Sequence, residues 1–257
     1  MGLLDDIVRN KHEELAALAL QMPPAERPEP RPVNLRSKTG LTLLTEIKKK
    51  SPSAGVLGGG PIEKRAIAYA RGGAAMISVL CDKKYFDGSF EDVKRVRDAL
   101  DGAGLEVPIL AKEFVVDPMQ VAWARASGAS AVLIIVRIID DASLLQLLAA
   151  ARSHELAALV EVSSAAELER AVKAGAKVIG VNARDLDSLG VDTHAATRVL
   201  SAIPPNIVAL HLSGIREPKD LEALKKTRAD GALMGEALMR EDDPTSLLEK
   251  LVLAAKR

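Results

Sequence analysis

The chain has 257 residues, 48% of them hydrophobic but only 2% aromatic, and its 35 basic and 35 acidic side chains balance to a formal charge of zero. That length allows one large domain or two small ones, its core must be aliphatic, and the charge balance excludes a nucleic-acid binder working through bulk positive charge. A single cysteine, Cys81, excludes an intrachain disulfide and any CxxC motif, which points to a reducing compartment.

The opening "MGLLDDIVRN" lacks the basic-then-apolar order of a signal peptide, and Gly2 has no Ser or Thr at position 6 to complete a myristoylation pattern. Next, "LLDDIVRNKHEELAALALQM" reads as an amphipathic helix and "PPAERPEPRP" as a proline-rich linker. Residues 1–35 are therefore expected to form a helical extension and linker packed over one end of the domain.

From residue 41 one theme repeats. Apolar β-rich runs occur at "LTLLTEIK" (41–48), "AMISVLCD" (75–82), "VPILAKEF" (107–114) and "AVLIIVRI" (131–138). Four more follow at "LAALVEV" (156–162), "KVIGVNARD" (177–185), "NIVALHLSG" (206–214) and "GALMGEAL" (231–238). Near-continuous apolar runs are what parallel strands covered on both faces require. Segments of helical period lie between them. "PIEKRAIAYARGG" has Pro61 placed for a first helical position, and "SFEDVKRVRDAL" has Ser89 and Asp92 spaced almost as a capping box. "DPMQVAWARASGA", "DASLLQLLAAARSH", "SAAELERAVKAGA", "THAATRVLSAI", "EPKDLEALKKTRADGA" and "DPTSLLEKLVLAAK" complete eight helices. Four helix ends share a small-residue stop, "RGGAAM", "ASGASA", "KAGAKV" and "RADGAL", where glycine suits a left-handed closing residue.

Eight strands alternating with eight helices in 200–250 residues predict a (β/α)8 TIM barrel with an extra N-terminal helix, a single domain over 1–257. A doubly wound open sheet is the rival. It would carry a glycine-rich turn directly after its first strand, and "LGGGP" (57–61) is neither GxGxxG nor so placed. The longest apolar run, "ASAVLIIV", is far short of a membrane span. The expectation is a soluble, cytoplasmic protein.

Barrel chemistry sits at the C-terminal ends of the strands. There the sequence places Glu46 and Lys48, Lys112, Glu161, and Asn182 with Arg184. Residues two apart share a strand face, so each pair points either into the mouth or outward under helices, where burying charge is costly. Any one such charge alone is ordinarily a solvated rim residue, and Lys49 and Lys50 are read that way. Six polar positions converging from four strands instead suggest an anionic substrate handled by acid–base chemistry, the two lysines depressing one another's pKa. Small residues at Ser213-Gly214 and Gly235-Glu236 allow an anion to approach backbone N–H groups. The histidines point to surface or structural roles: His12 and His154 lie on helical patterns, His194 in a loop. His211 could share a face with Ser213, though no acidic partner for a triad is evident. No residues have metal-ligand spacing, and Cys81 reads as a small buried hydrophobe.

Taken together, "EIKKKSPSAG", "SVLCDKKYFDGS", "PILAKEFVVDP", "LVEV", "GVNARDL", "SGI" and "LMGEALMR" resemble the indole-3-glycerol phosphate synthase family, in the family's order and over roughly residues 40–240. The resemblance implies a phosphorylated substrate, 1-(2-carboxyphenylamino)-1-deoxyribulose 5-phosphate, and ring closure, decarboxylation and dehydration in tryptophan biosynthesis. It implies no metal or organic cofactor. By resemblance Lys112 is the general acid, Glu161 its carboxylate counterpart, and Glu46 and Lys48 the first-strand pair. Asn182 and Arg184 orient substrate, Ser51 lies in a matched loop and Phe114 in an aromatic wall. Ser213, Gly214, Gly235 and Glu236 fall on the phosphate loops. A monomer is expected, with no nucleic-acid or membrane partner and other tryptophan-pathway enzymes as candidate neighbours.

The chain departs from the family pattern at Leu212, where glutamate usually precedes "SGI", at Cys81, where threonine is commoner, and at Ala183. Leu212 removes a carboxylate, which predicts a weakened or rearranged lysine–carboxylate network. Alternatives are therefore a phosphate-ligand-binding paralogue with little or no turnover, or an aldolase using Lys112 or Lys48 as a Schiff-base nucleophile. A sister phosphoribosyl isomerase would lack this lysine pair with Glu161.

Overall fold

The computed structural model describes residues 2–21, 23, 28–58, 60–184 and 190–256. Eight parallel strands close into a barrel: β1 (Thr42–Ile47), β2 (Met76–Leu80), β3 (Ile109–Lys112), β4 (Ala131–Ile135), β5 (Ala157–Val162), β6 (Val178–Val181), β7 (Val208–His211) and β8 (Gly231–Met234). Each pairs with its sequence neighbours, and β8 closes on β1 through Thr42 opposite Gly231. The helices are α1 (Leu3–Leu18), α2 (Ile62–Arg71), α3 (Phe90–Gly102), α4 (Pro118–Ala126), α5 (Asp141–Ser153), α6 (Ala165–Lys173), α7 (Thr193–Ser201), α8 (Pro218–Leu224) and α9 (Thr245–Ala255).

Strand alternation divides the aliphatic residues into two clusters. Leu44, Met76, Leu110, Leu133, Leu159, Leu210 and Leu233 fill the barrel interior, whereas Leu43, Ile77, Ile109, Val132, Val160, Ile179 and Ala209 pack beneath the helices. Burial on both faces explains the unbroken apolar runs. Side-chain caps begin several helices: Ser89 accepts from the Asp92 N–H, Asp140 from Ser143 and Ser164 from Glu167. Asp92 does not return a bond to Ser89's backbone as the spacing suggested, because its carboxylate takes Lys49 Nζ at 2.9 Å. Pro61 is the N-cap of α2 rather than its first helical residue.

Several boundaries differ from expectation. The fourth run leaves the sheet at Ile135 and makes a 3-10 turn over Val136–Ile138. The eighth stops at Met234, and a short helix, Glu236–Met239, follows Gly235. The turn after β1 is a small hairpin pairing Lys50–Ser51 with Gly55–Val56. Gly73, Gly128 and Gly175 close their helices with positive φ, but Gly231 does not. It is small for a different reason, since a Cβ there would lie 2.2 Å from Thr42 Oγ1.

The N-terminal segment covers both ends of the barrel rather than one. Leu4 and Ile7 of α1 join the interior cluster above the C-terminal strand ends. Residues 28–36 run beneath the opposite end, where the Arg31 guanidinium donates to Val107 O and Arg36 to Ile207 O, just ahead of β3 and β7. Part of the proline-rich stretch lies outside the described residues, as do Gly59 of "LGGGP" and Asp185 to Leu189 after Arg184. Among the described residues no helix is long and apolar enough to cross a membrane.

Candidate active site

A cavity of about 1110 Å³, counting its open mouth, sits over the C-terminal strand ends, and all twelve sequence-predicted residues line it. Its centre is Glu46, only 2% exposed, which takes one ammonium on each oxygen. Lys48 Nζ lies 2.7 Å from Oε1 and Lys112 Nζ 2.6 Å from Oε2. Burial alone would push the Glu46 carboxyl up, but the two ammoniums overcome it and hold it down at about 2. At Lys112 the depression expected from a neighbouring lysine is not met. Burial pulls Lys112 down, yet Glu46 and Glu161 outweigh it and hold the ammonium above its ordinary range. A carboxylate stands where lysine–lysine repulsion was expected. This also argues against Schiff-base chemistry, which needs the neutral amine.

Glu161 is buried at the end of β5, and burial, only partly offset by Lys112, raises its pKa. Asn182 Nδ2 donates to Glu161 Oε1 at 2.9 Å, while Asn182 Oδ1 accepts from Ser213 Oγ at 2.8 Å and from Arg184 N at 3.0 Å. Asn182 is therefore oriented by three bonds, one of them donated by the Ser213 hydroxyl. Gly214 beside it has φ +88, a conformation L side chains rarely adopt. Glu236 pairs with Arg240 at 2.9 Å, which holds its carboxyl below the usual range. Ser51 Oγ accepts from Ala54 N at 3.1 Å and braces the hairpin. Phe114 is buried against Phe86, ring centroids 6.0 Å apart.

Leu212 is 3% exposed and packs in the barrel interior. It lies across Gly180, where a Cβ would come within 2.4 Å of its Cδ1. The lysine–carboxylate network closes without position 212, since Glu46 and Glu161 both act on Lys112. His211 and Ser213 do not meet in the cavity. Only Ser213 lines it, and His211 is buried with Nδ1 unpartnered and its pKa lowered, chiefly by burial. Cys81 and Ala183 pack beneath the helices.

The sequence reading missed what α1 contributes. Leu3 and Ile7 line the cavity, as does Glu113. Lys11, 1% exposed, is the partner that links α1 to Glu113 and Asp82. The available signal was its position: Leu4, Ile7 and Lys11 share one helical stripe, so a lysine stands where an apolar residue belongs. Among the described residues no group of three His, Cys, Asp or Glu is arranged to hold a metal ion.

The family model for indole-3-glycerol phosphate synthase matches residues 4–251. An indole-3-glycerol phosphate synthase of Mycobacterium ulcerans (strain Agy99) is 44% identical over 84% of this chain and 78% of its own length. Another, from Mycobacterium leprae (strain Br4923), is 39% identical over 98% of this chain and 94% of its own. Among solved structures, 3-hexulose-6-phosphate synthase from Salmonella typhimurium superposes with a TM-score of 0.65 at 13% identity, covering 84% of this chain and 98% of that one, a likeness of fold.

Proposed function

The chain belongs to the indole-3-glycerol phosphate synthase family, and we propose that Lys112 is the acid that drives its ring closure. The reaction converts 1-(2-carboxyphenylamino)-1-deoxyribulose 5-phosphate to indole-3-glycerol phosphate, carbon dioxide and water in tryptophan biosynthesis. The observation that carries the assignment is the Lys112 ammonium, held protonated by Glu46 and Glu161 at the floor of the cavity.

The ring carbon bearing the carboxylate attacks the ketone carbon, and the carbonyl pair moves onto oxygen. Lys112 donates its proton there, and a preplaced ammonium stabilises that developing charge. Carbon dioxide then leaves the same ring carbon, its bonding pair restoring aromaticity. In the last step Glu161 takes a proton from the methylene beside nitrogen. The C–H pair becomes the new double bond as the hydroxyl leaves as water with a proton from Lys48. Burial makes Glu161 a stronger base than an exposed carboxylate. Asn182 fixes Glu161, and Arg184 faces the substrate's carboxylate. Phe114, with its neighbours Leu133 and Ile135, walls the aromatic ring. The phosphate sits against backbone N–H groups at Ser213-Gly214 and Gly235-Glu236. We read the chain as a single-domain cytoplasmic monomer.

Appearance of indole fluorescence on mixing purified protein with substrate tests the assignment, with Lys112→Ala as control. Turnover in wild type that falls by at least about 10²-fold in the variant supports Lys112 as acid. Undiminished turnover in Lys112→Ala would overturn it.

A further inference from the structure

We propose that Lys11 is a positioning residue, a buried pin whose ammonium ties α1 across the mouth to the ends of β2 and β3 so that Leu3 and Ile7 complete the substrate-facing wall. This rests on the reading of the cavity as the substrate site. Lys11 Nζ lies 2.7 Å from Asp82 Oδ2, 3.1 Å from Glu113 Oε1 and 2.7 Å from Glu14 Oε2. Asp82 and Glu113 are 0% and 5% exposed. Glu14 belongs to α1 itself and is half-buried, so the Lys11 contacts that bind helix to barrel are the other two.

Both barrel partners reach directly into cavity structure. The other oxygen of Asp82 caps the short helix Lys83–Phe86, accepting from Tyr85 N at 2.6 Å and Phe86 N at 3.3 Å, and so places Phe86 against Phe114. Glu113 separates Lys112 from Phe114, and its Oε1 accepts from Phe114 N at 2.7 Å. One ammonium thus bridges the helix that roofs the cavity and the two turns that carry its aromatic wall. A further polar tie between these elements lies on the exposed side, where Lys84 Nζ donates to Asn10 Oδ1 at 3.2 Å.

Energetically the arrangement is a pin rather than a general stabiliser. Buried charges held as ion pairs favour one geometry, and removing the shared cation leaves the carboxylates uncompensated. The charged groups facing the site are Lys11 and Glu14 on α1, Asp82 after β2 and Glu113 after β3, with the Cys81 thiol adjoining them. One cation serves three carboxylates. Its loss leaves Glu14, Asp82 and Glu113 without their shared cation, and α1 detaches first because the barrel has its own core.

The test compares Lys11→Met with Glu14→Gln, which alters only contacts within α1, those of Glu14 with Lys11 and Asn10. Two readouts are taken on the full chain: hydrogen exchange of the α1 backbone amides, and steady-state kinetics with the carboxyphenylamino-deoxyribulose phosphate. In Lys11→Met, α1 amides should exchange at least tenfold faster while amides of β1 to β8 keep their protection. KM should rise at least tenfold with kcat within threefold, the split expected when uniform binding is lost. Glu14→Gln should leave both readouts unchanged. Unaltered α1 exchange in Lys11→Met overturns the pin whatever the kinetics. Faster α1 exchange with unchanged KM overturns its part in substrate binding. If barrel amides lose protection as well, Lys11 supports the whole fold and the proposal fails. A wild type without turnover would refute the reading of the site, while the exchange comparison still decides the pin.

Discussion

Gly235 approaches Glu46 so closely that a Cβ built on it would stand 2.5 Å from Glu46 Oε1 and 3.1 Å from its Cδ. Beyond the last paired residues of β8 and β1, Gly235 and Glu46 thus meet, and this carboxylate is the one that takes both lysines. Gly235→Ala should displace Glu46 and, with it, Lys48 and Lys112. Misplacing catalytic groups by an ångström costs roughly 10² in rate, so kcat/KM should fall by about 100-fold. The fold should persist, because the displaced group borders the cavity and not the packed core. Steady-state kinetics alongside a thermal melt separate the two effects; wild-type kcat/KM in a folded Gly235→Ala would show that the carboxylate's position does not matter.

Glu46→Gln keeps the shape of that side chain and removes its charge. Burial pulls Lys112 down and only the carboxylates raise it, so the variant should have a lower Lys112 pKa. With Lys112 in its proposed role as acid, the alkaline limb of the kcat/KM profile should therefore move to lower pH. An unchanged alkaline limb would mean that Lys112 is not the acid observed in the profile.

The barrel was legible because each βα unit repeats the same physical statement, an aliphatic run buried on both faces followed by a segment of helical period, four of them ending in a small-residue stop. The mouth residues were legible through strand alternation: a charge such as Glu46 or Lys112 within an apolar run must face the open end or be paired. Who pairs with whom was not. Glu46 and Lys112 are 66 residues apart, and nothing local says that a carboxylate will separate the two lysines. Lys11 was hidden for the opposite reason. On an amphipathic helix one lysine among Arg9, His12 and Glu13 looks solvated, and only the acidic residues of two distant turns make its burial affordable. At Leu212 the sequence showed a departure whose effect it could not give, because it placed Glu46 and Glu161 in the mouth but not their pairing with Lys112.

Those two carboxylates make a prediction at position 212. Leu212 is packed over Gly180 among interior leucines, so Leu212→Ala should cost about 3 kcal/mol through the cavity it leaves. Leu212→Glu should not improve turnover. It would place a third carboxylate in a site where Glu46 and Glu161 already flank Lys112, and its own burial would be uncompensated. Denaturant melts and kcat for both variants check this. A Leu212→Glu protein that is stable and faster than wild type would show that the network is incomplete as it stands.

Glu113 sets a pH dependence of stability. Its burial, only partly offset by Lys11, pushes the carboxyl up from 4.5 to about 7. An acid whose pKa is higher folded than unfolded binds its proton more tightly in the native state. Its stabilising contribution is complete below the unfolded value near 4.5 and is lost as pH rises through about 7. The loss across that window is on the order of 3 kcal/mol at 1.36 kcal/mol per unit. Glu113→Gln cannot ionise, so its unfolding free energy should decline less between pH 4.5 and 7.5 than that of the wild type. Urea melts at half-unit steps across this range measure both slopes. Parallel curves for wild type and variant would show that Glu113 carries no such proton, and that Lys11 neutralises it fully in the folded state.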